Sequence, residues 1–194
     1  MIRIIARRWL RTFSQRYDYD TGYMADILEH KPAALLKYSA LNLVASHRSG
    51  IPEAPWWTAR IRAALWEDCG PCVQLVCNMA LESGMEPAVV AGITRADMAA
   101  LDEGCALALR FTEAVLARDP DADPLREQVR LRWGEDGLIS LAMTISTTRV
   151  YPNVKYVLGH GRACSRVQVA QQDITPAPFQ SATMLGITNG GLSP

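Results

Sequence analysis

Apolar residues recur through most of this chain at intervals of three and four, the spacing of one helix face. In "MIRIIARRWLRTF" the pattern sets Ile2, Ile5, Trp9 and Phe13 together, with Arg7, Arg8 and Arg11 elsewhere on the wheel. It predicts a basic amphipathic helix over 1–17. Such a helix docks on a core or lies on a membrane surface, and docking is the reading adopted. "GYMADILEH" predicts a short helix, and Pro32 opens another because proline is tolerated in a first turn. "SGIPEAP" at 49–55 breaks the pattern, and "WWTARIRAALWED" resumes it with Trp57, Ile61 and Leu65 inward. A helix from Cys69 to about Glu82 follows, stopped by Gly84. "TRAD" at 94–97 offers Thr94 or Asp97 as the cap of a long helix, "MAALDEGCALALRFTEAVLAR". Beyond the turn "DPDADP", "LREQVRLRW" is a short helix ended by Gly134.

"DGLISLAMTISTTRVY" is the most apolar predicted helix and is expected to be the most buried. Pro152 is expected to begin a last one, "PNVKYVLGHGRACSRV", weakened by Gly159 and Gly161. Residues 169–194 carry three prolines and three glycines and predict an irregular C-terminal arm or disordered tail. No strand ladder with turn signals is visible. The expected fold is all-α, a single domain over 1–168 followed by that arm.

Composition narrows the function classes. The chain has 194 residues and is 49% hydrophobic, ample for a core. Basic and acidic residues balance at 20 each, so charge gives no argument for a nucleic-acid partner. The longest apolar runs fall short of the roughly 20 residues of a membrane span. The N-terminus lacks a long apolar run followed by a small-residue cleavage site, so no secretory leader is expected. Five cysteines, an odd and low count, read as mostly reduced thiols of a cytoplasmic protein.

The chemistry concentrates in "EDCGPCVQLVC". Asp68 is a candidate N-cap, and Pro71 fits only in a first turn. Cys69 then lies at a helix N-terminus with Cys72 about one turn on, on the same face. The free N–H groups and the helix dipole there favour a thiolate. Three readings stand side by side: a redox dithiol, half of a zinc site, or core thiols. Zinc needs two more ligands, and neither a second CxxC nor paired histidines exist, so no metal or cofactor is assigned. Cys77, Cys105 and Cys164 read as core or semi-buried thiols.

The tetrad "CGPC" occurs in thioredoxin, but there in a βαβ context, whereas here both flanks are helical. The chain resembles the carboxymuconolactone decarboxylase/AhpD-like family of all-α proteins. The resemblance spans most of 18–168 and is carried by "YDYDTGYM", "EDCGPCVQLVCNMALESGM", "LALRFTEAVLARDP" and "RWGEDGLISLAMTIS". It implies a multi-helix bundle with the CxxC at the start of a central helix, a peroxide or disulfide substrate, a thiol reductant, and a homotrimer or homohexamer. The family pattern E-x11-C-x-x-C-x3-H supplies a proton relay, but the corresponding positions here hold Trp57 and Val76.

Glu67, two residues before Cys69, is therefore a candidate substitute proton acceptor, against the alternative of a solvated helix-end carboxylate. Gln74 and Asn78 are candidate hydrogen-bonding neighbours. His160, between Gly159 and Gly161, is the candidate replacement for the missing histidine, against a capping or surface role. With the relay positions empty, helix-end electrostatics favour Cys69 as the attacking thiol.

The first functional reading is a thiol–disulfide oxidoreductase or peroxide reductase using Cys69 and Cys72. The alternatives are a non-redox decarboxylase or lactone-handling enzyme, which a carboxylate pocket built on Arg60, Arg62 or Arg149 would favour, and an oligomeric binding protein with vestigial cysteines. Trp9, Trp56, Trp57 and Phe179 are candidate interface anchors.

Overall fold

In the computed structural model, which describes residues 2–162 and 167–177, the chain is mostly helical. The helices are α1 (Ile2–Tyr17), α2 (Gly22–His30), α3 (Pro32–Ala45), α4 (Glu53–Trp66), α5 (Gly70–Glu82), α6 (Pro87–Arg95), α7 (Glu103–Ala117) and α8 (Ala122–Val157). A 3₁₀ turn, Met98–Ala100, sits between α6 and α7, and a hairpin of β1 (Val167–Val169) and β2 (Gln172–Ile174) follows α8. The all-α expectation holds.

Helix α4 is the centre. Every residue from Pro55 to Leu65 is buried, and α7 and α8 form its main packing partners. Small residues explain the close approach: Ala59, Ala63 and Ala64 are wholly buried and let neighbouring helices sit near the α4 backbone. The expectation that 136–151 would be the most buried helix fails, because Ile139 and Met143 of α8 remain exposed. Hydrophobicity read along a helix does not say how many sides are covered. Trp56 and Trp57 are likewise corrected. They are 5% and 6% exposed within this chain's own core, and so are not interface anchors. Trp9 is half exposed, and Phe179 and Cys164 lie outside the described residues.

A second apolar cluster joins α1, α2 and α3 through Leu10, Tyr19, Tyr23, Met24, Leu28, Leu35 and Tyr38. The N-terminal helix docks as expected, but through Leu10 and Phe13, while Ile5 faces outward. Arg7 to Glu29 and Arg16 to Glu82 tie its polar side to α2 and α5.

Three boundaries differ from the sequence reading. The long helix predicted from 98 is split: Asp97 caps the 3₁₀ turn and Asp102 caps α7, accepting from the Cys105 N–H at 2.7 Å. Pro152 does not start a helix. It lies inside α8, which breaks only at Gly134 (φ 68°) and continues to Val157. The helix ends at Gly159 (φ 79°), where the His160 N–H reaches back to the Lys155 carbonyl at 2.9 Å.

The third difference is the hairpin, which replaces the first part of the expected arm and straddles the boundary drawn at 168. Val167, Val169 and Ile174 are buried, and Gln74 of α5 clamps β1. Its amide nitrogen donates to the Gln168 carbonyl (2.7 Å) and its amide oxygen accepts from the Gln168 N–H (2.6 Å). The turn residues Ala170 and Gln171 both have positive φ, the geometry of a tight hairpin turn, without the usual glycine or asparagine. The arm expected beyond 177 lies outside the described residues.

Candidate redox site

The CGPC segment is a corner between α4 and α5. Glu67 caps the C-terminus of α4, and Asp68 turns the chain with φ 48°, a left-handed conformation uncommon for a residue other than glycine. Asp68 was expected to cap α5, but Cys69 takes that position in extended geometry, and Pro71 falls in the first turn. The last turn of α8 and the residues after it close over the corner. Tyr156 OH donates to the Asp68 carbonyl at 2.8 Å, and the Gly70 N–H donates to the Arg162 carbonyl at 3.0 Å.

Cys69 and Cys72 are joined as a disulfide, S–S 2.10 Å and Cα–Cα 5.2 Å. The i, i+3 spacing across one helical turn brings the sulfurs together. Their surroundings differ. Cys69 is fully buried, whereas Cys72 is 5% exposed and forms part of the wall of a cavity of about 240 Å³. The expected order of exposure is therefore reversed, because the 156–162 segment covers the helix end that carries Cys69.

The cavity lies between α1, α2, α3, α4, α5 and α8, and its largely apolar wall includes six aromatic rings: Trp9, Phe13, Tyr19, Tyr23, Tyr38 and Tyr151. Tyr19 OH is 3.8 Å from Cys72 Sγ, and because a disulfide sulfur has no hydrogen, the phenol is the donor. Tyr23 interacts with both Tyr19 and Tyr38, its hydroxyl 3.0 Å from that of Tyr38. Burial pushes all three phenols above the usual tyrosine range, so they remain neutral donors.

Lys155 is buried behind them. Its ammonium sits 4.4 Å from the Tyr19 ring centroid and 5.6 Å from that of Tyr23, with the Asp20 carbonyl 3.5 Å from Nζ. Burial lowers its pKa, and the Asp20 charge partly offsets this. A phenol donor beside Cys72 and the N-terminus of α5 both favour negative charge on that sulfur when the disulfide is reduced.

The other sequence candidates lie elsewhere. Glu67 is held by Arg149 and by Asn153 Nδ2 (2.7 Å), so its carboxylate anchors α8 to the corner. His160 reaches Asp26 through Nε2 (2.9 Å) and packs near the Tyr23 ring; it makes no hydrogen bond to either sulfur. Gln74 and Asn78 bond each other, and Gln74 holds the hairpin. Cys77 and Cys105 are buried thiols outside the disulfide, and burial pushes the Cys105 thiol up to about 11.

Sequence reasoning missed Tyr19 and Lys155. Tyr19 sits in the quoted "YDYDTGYM", but nothing local aims it at a sulfur 53 positions away. Lys155 reads as an ordinary surface lysine of a helix. Among the described residues no cluster of three or more His, Cys, Asp or Glu could hold a metal ion, and no helix is long and apolar enough to cross a membrane. No protein-family model, curated protein or solved structure matches the chain.

Proposed function

We propose that this protein is a thiol–disulfide oxidoreductase of the peroxide-reductase kind, built on an AhpD-like bundle, with Cys72 as the attacking sulfur and Cys69 as the resolving one. The observation that carries this is the asymmetry of the Cys69–Cys72 pair: one sulfur opens on a cavity and the other is sealed.

In the reduced protein the Cys72 thiolate attacks the outer oxygen of a hydroperoxide. The O–O bond breaks, and the alkoxide takes up a proton and leaves as an alcohol. The Cys69 thiol then attacks the Cys72 sulfenic acid, and water leaves as the disulfide forms. An external dithiol returns the two electrons. Its thiolate attacks Cys72, releases Cys69, and its second sulfur closes a disulfide in the donor. With a disulfide substrate, Cys72 attacks one sulfur and expels the other as a thiolate, and Cys69 then attacks the mixed disulfide at Cys72 and releases the second thiol. Tyr19 donates to the reacting sulfur, and the α5 N-terminus supports its charge.

The two buried cysteines outside the disulfide, Cys77 and Cys105, suit a reducing compartment, and the cytoplasm is the proposed one. Exposed Leu36 and Leu43 on α3 and Ile139 and Met143 on α8 support assembly as a homotrimer or homohexamer, which light scattering would test against a single-chain mass.

Thiol trapping tests the assignment. Cys69→Ser should accumulate a mixed disulfide on Cys72 with an aromatic disulfide probe, and Cys72→Ser should accumulate little on Cys69. The opposite pattern overturns the assignment. A non-redox decarboxylase or lactone-handling enzyme would use the buried Arg60 of the same cavity and not the sulfurs, and turnover surviving in Cys72→Ser would favour it.

A further inference from the structure

Among the arginines of the core helices, Arg62 and Arg149 have acid partners. Arg62 is wholly buried and paired with Glu113, with the Ile93 and Thr94 carbonyls at 3.2 and 3.3 Å. Arg149 is paired with Glu67. Arg60 differs. It is 7% exposed, on the most enclosed helix of the fold, and pairs with no carboxylate among the described residues. Its guanidinium carbon lies 5.2 and 5.3 Å from the ring centroids of Trp56 and Trp57, and Nε has no protein hydrogen-bond partner. Stacking on rings holds a cation in place but satisfies none of its N–H donors. A buried charge without a counter-charge is costly, and a core that needed only volume at this position would be served by methionine or leucine.

Among the described residues, two further groups lining this cavity share the condition. Thr148 Oγ1 and Tyr151 OH are buried without a protein partner, and both residues line the same cavity as Arg60. The Arg60 charge and the Tyr151 phenol act on each other electrostatically, so the two are close. The cavity therefore has a largely apolar wall with aromatic rings, the Cys72 sulfur, and a group of three polar side chains from α4 and α8 with bonding capacity left over. All three can donate hydrogen bonds, and one is a fixed cation, whose planar fork suits a carboxylate.

We infer that this cavity takes a substrate with an apolar body and a single carboxylate, the carboxylate held by Arg60 with Thr148 and Tyr151 and the body lying along the aromatic wall toward Cys72. For the redox reading this means a carboxylate-bearing organic hydroperoxide or disulfide in place of hydrogen peroxide. The inference rests on that reading only in making Cys72 the reacting end of the chamber.

The test is binding of an isosteric pair, 3-phenylpropanoate and 3-phenylpropanamide, to the full oxidised chain by calorimetry, with no turnover involved. The acid should bind at least about tenfold more tightly than the amide, the size of one charge-assisted contact. Arg60→Met should bring the two within about twofold of each other. Equal affinities in the wild-type chain, no binding of either ligand at millimolar concentration, or a preference that survives Arg60→Met each overturn the inference. Should Arg60→Met fail to fold, Arg60→Lys replaces the fork with a point charge and should reduce the preference severalfold; an unchanged ratio there also overturns it. Trapping on Cys72 reports separately. Normal trapping without acid preference removes only the carboxylate site, and acid preference without trapping removes only the redox reading.

Discussion

Tyr19→Phe isolates one hydroxyl. The ring is 4% exposed, packs edge-on against Phe13 at 6.1 Å and lies 4.4 Å below the Lys155 ammonium, and phenylalanine keeps all of these contacts. What is lost is the donor 3.8 Å from Cys72 Sγ. A hydrogen bond to a charged group contributes about 1.5–3 kcal/mol. At this separation, long even for sulfur, the lower end applies, and ~1.5 kcal/mol corresponds to roughly a tenfold change in the thiolate fraction.

The sign follows from the chemistry. The phenol stabilises the ionised sulfur, so removing it leaves less thiolate at a given pH. In the reduced chain, iodoacetamide labelling of Cys72 followed by peptide mass spectrometry should be about tenfold slower in Tyr19→Phe at pH below the labelling midpoint. The rates should converge at high pH, where both proteins are ionised. Tyr38→Phe, which removes a hydroxyl that bonds Tyr23 rather than the sulfur, should have a smaller effect. Equal rates at every pH would refute the electrostatic role of Tyr19. A slowing of constant size up to high pH would refute it too, by reducing Tyr19 to a steric part.

Glu67→Gln should lower stability by about 1 kcal/mol in denaturant melts, the range of a partly exposed ion pair, and leave the pH profile of Cys72 labelling in place, because the carboxylate is engaged with Arg149 and Asn153. Gly161→Ala sets a Cβ into the exposed Tyr156 ring, which must swing away and release the Asp68 carbonyl. Labelling of Cys69 in the reduced chain should then rise severalfold. For Cys105, the folded-state thiol is raised from 9.0 to about 11 by burial, so its contribution to stability is present below pH 9 and is lost as pH climbs toward 11. Urea melts at pH 8 and 10.5 should show a larger loss in the wild-type chain than in Cys105→Ala.

Most helices were legible in the sequence because their determinants are local; α6, Pro87–Arg95, was not read there. Apolar spacing, Pro32 and Pro71 in first turns, and Gly84 after α5 act within a few residues of where they sit. The meeting of Cys69 and Cys72 was legible for the same reason, since three positions along a helix span less than one turn.

What was not legible depends on partners distant in the chain. Pro152 signals a helix start, yet α8 runs through it, carried by packing on α3 and α4. Ala170 and Gln171 carry no hairpin signal; the turn is held because Gln74, nearly a hundred positions earlier, grips β1 and because Val167, Val169 and Ile174 have an apolar surface to cover.

Which sulfur faces the cavity is decided by Tyr156 and Arg162 returning over the corner. The isolation of Arg60 is decided by the acids that face Arg62 and Arg149 and, among the described residues, by none facing Arg60. Local sequence sets backbone preferences and the reach of a side chain. Exposure, counter-charge and access to a sulfur belong to the three-dimensional neighbourhood, and only the packed chain assembles that.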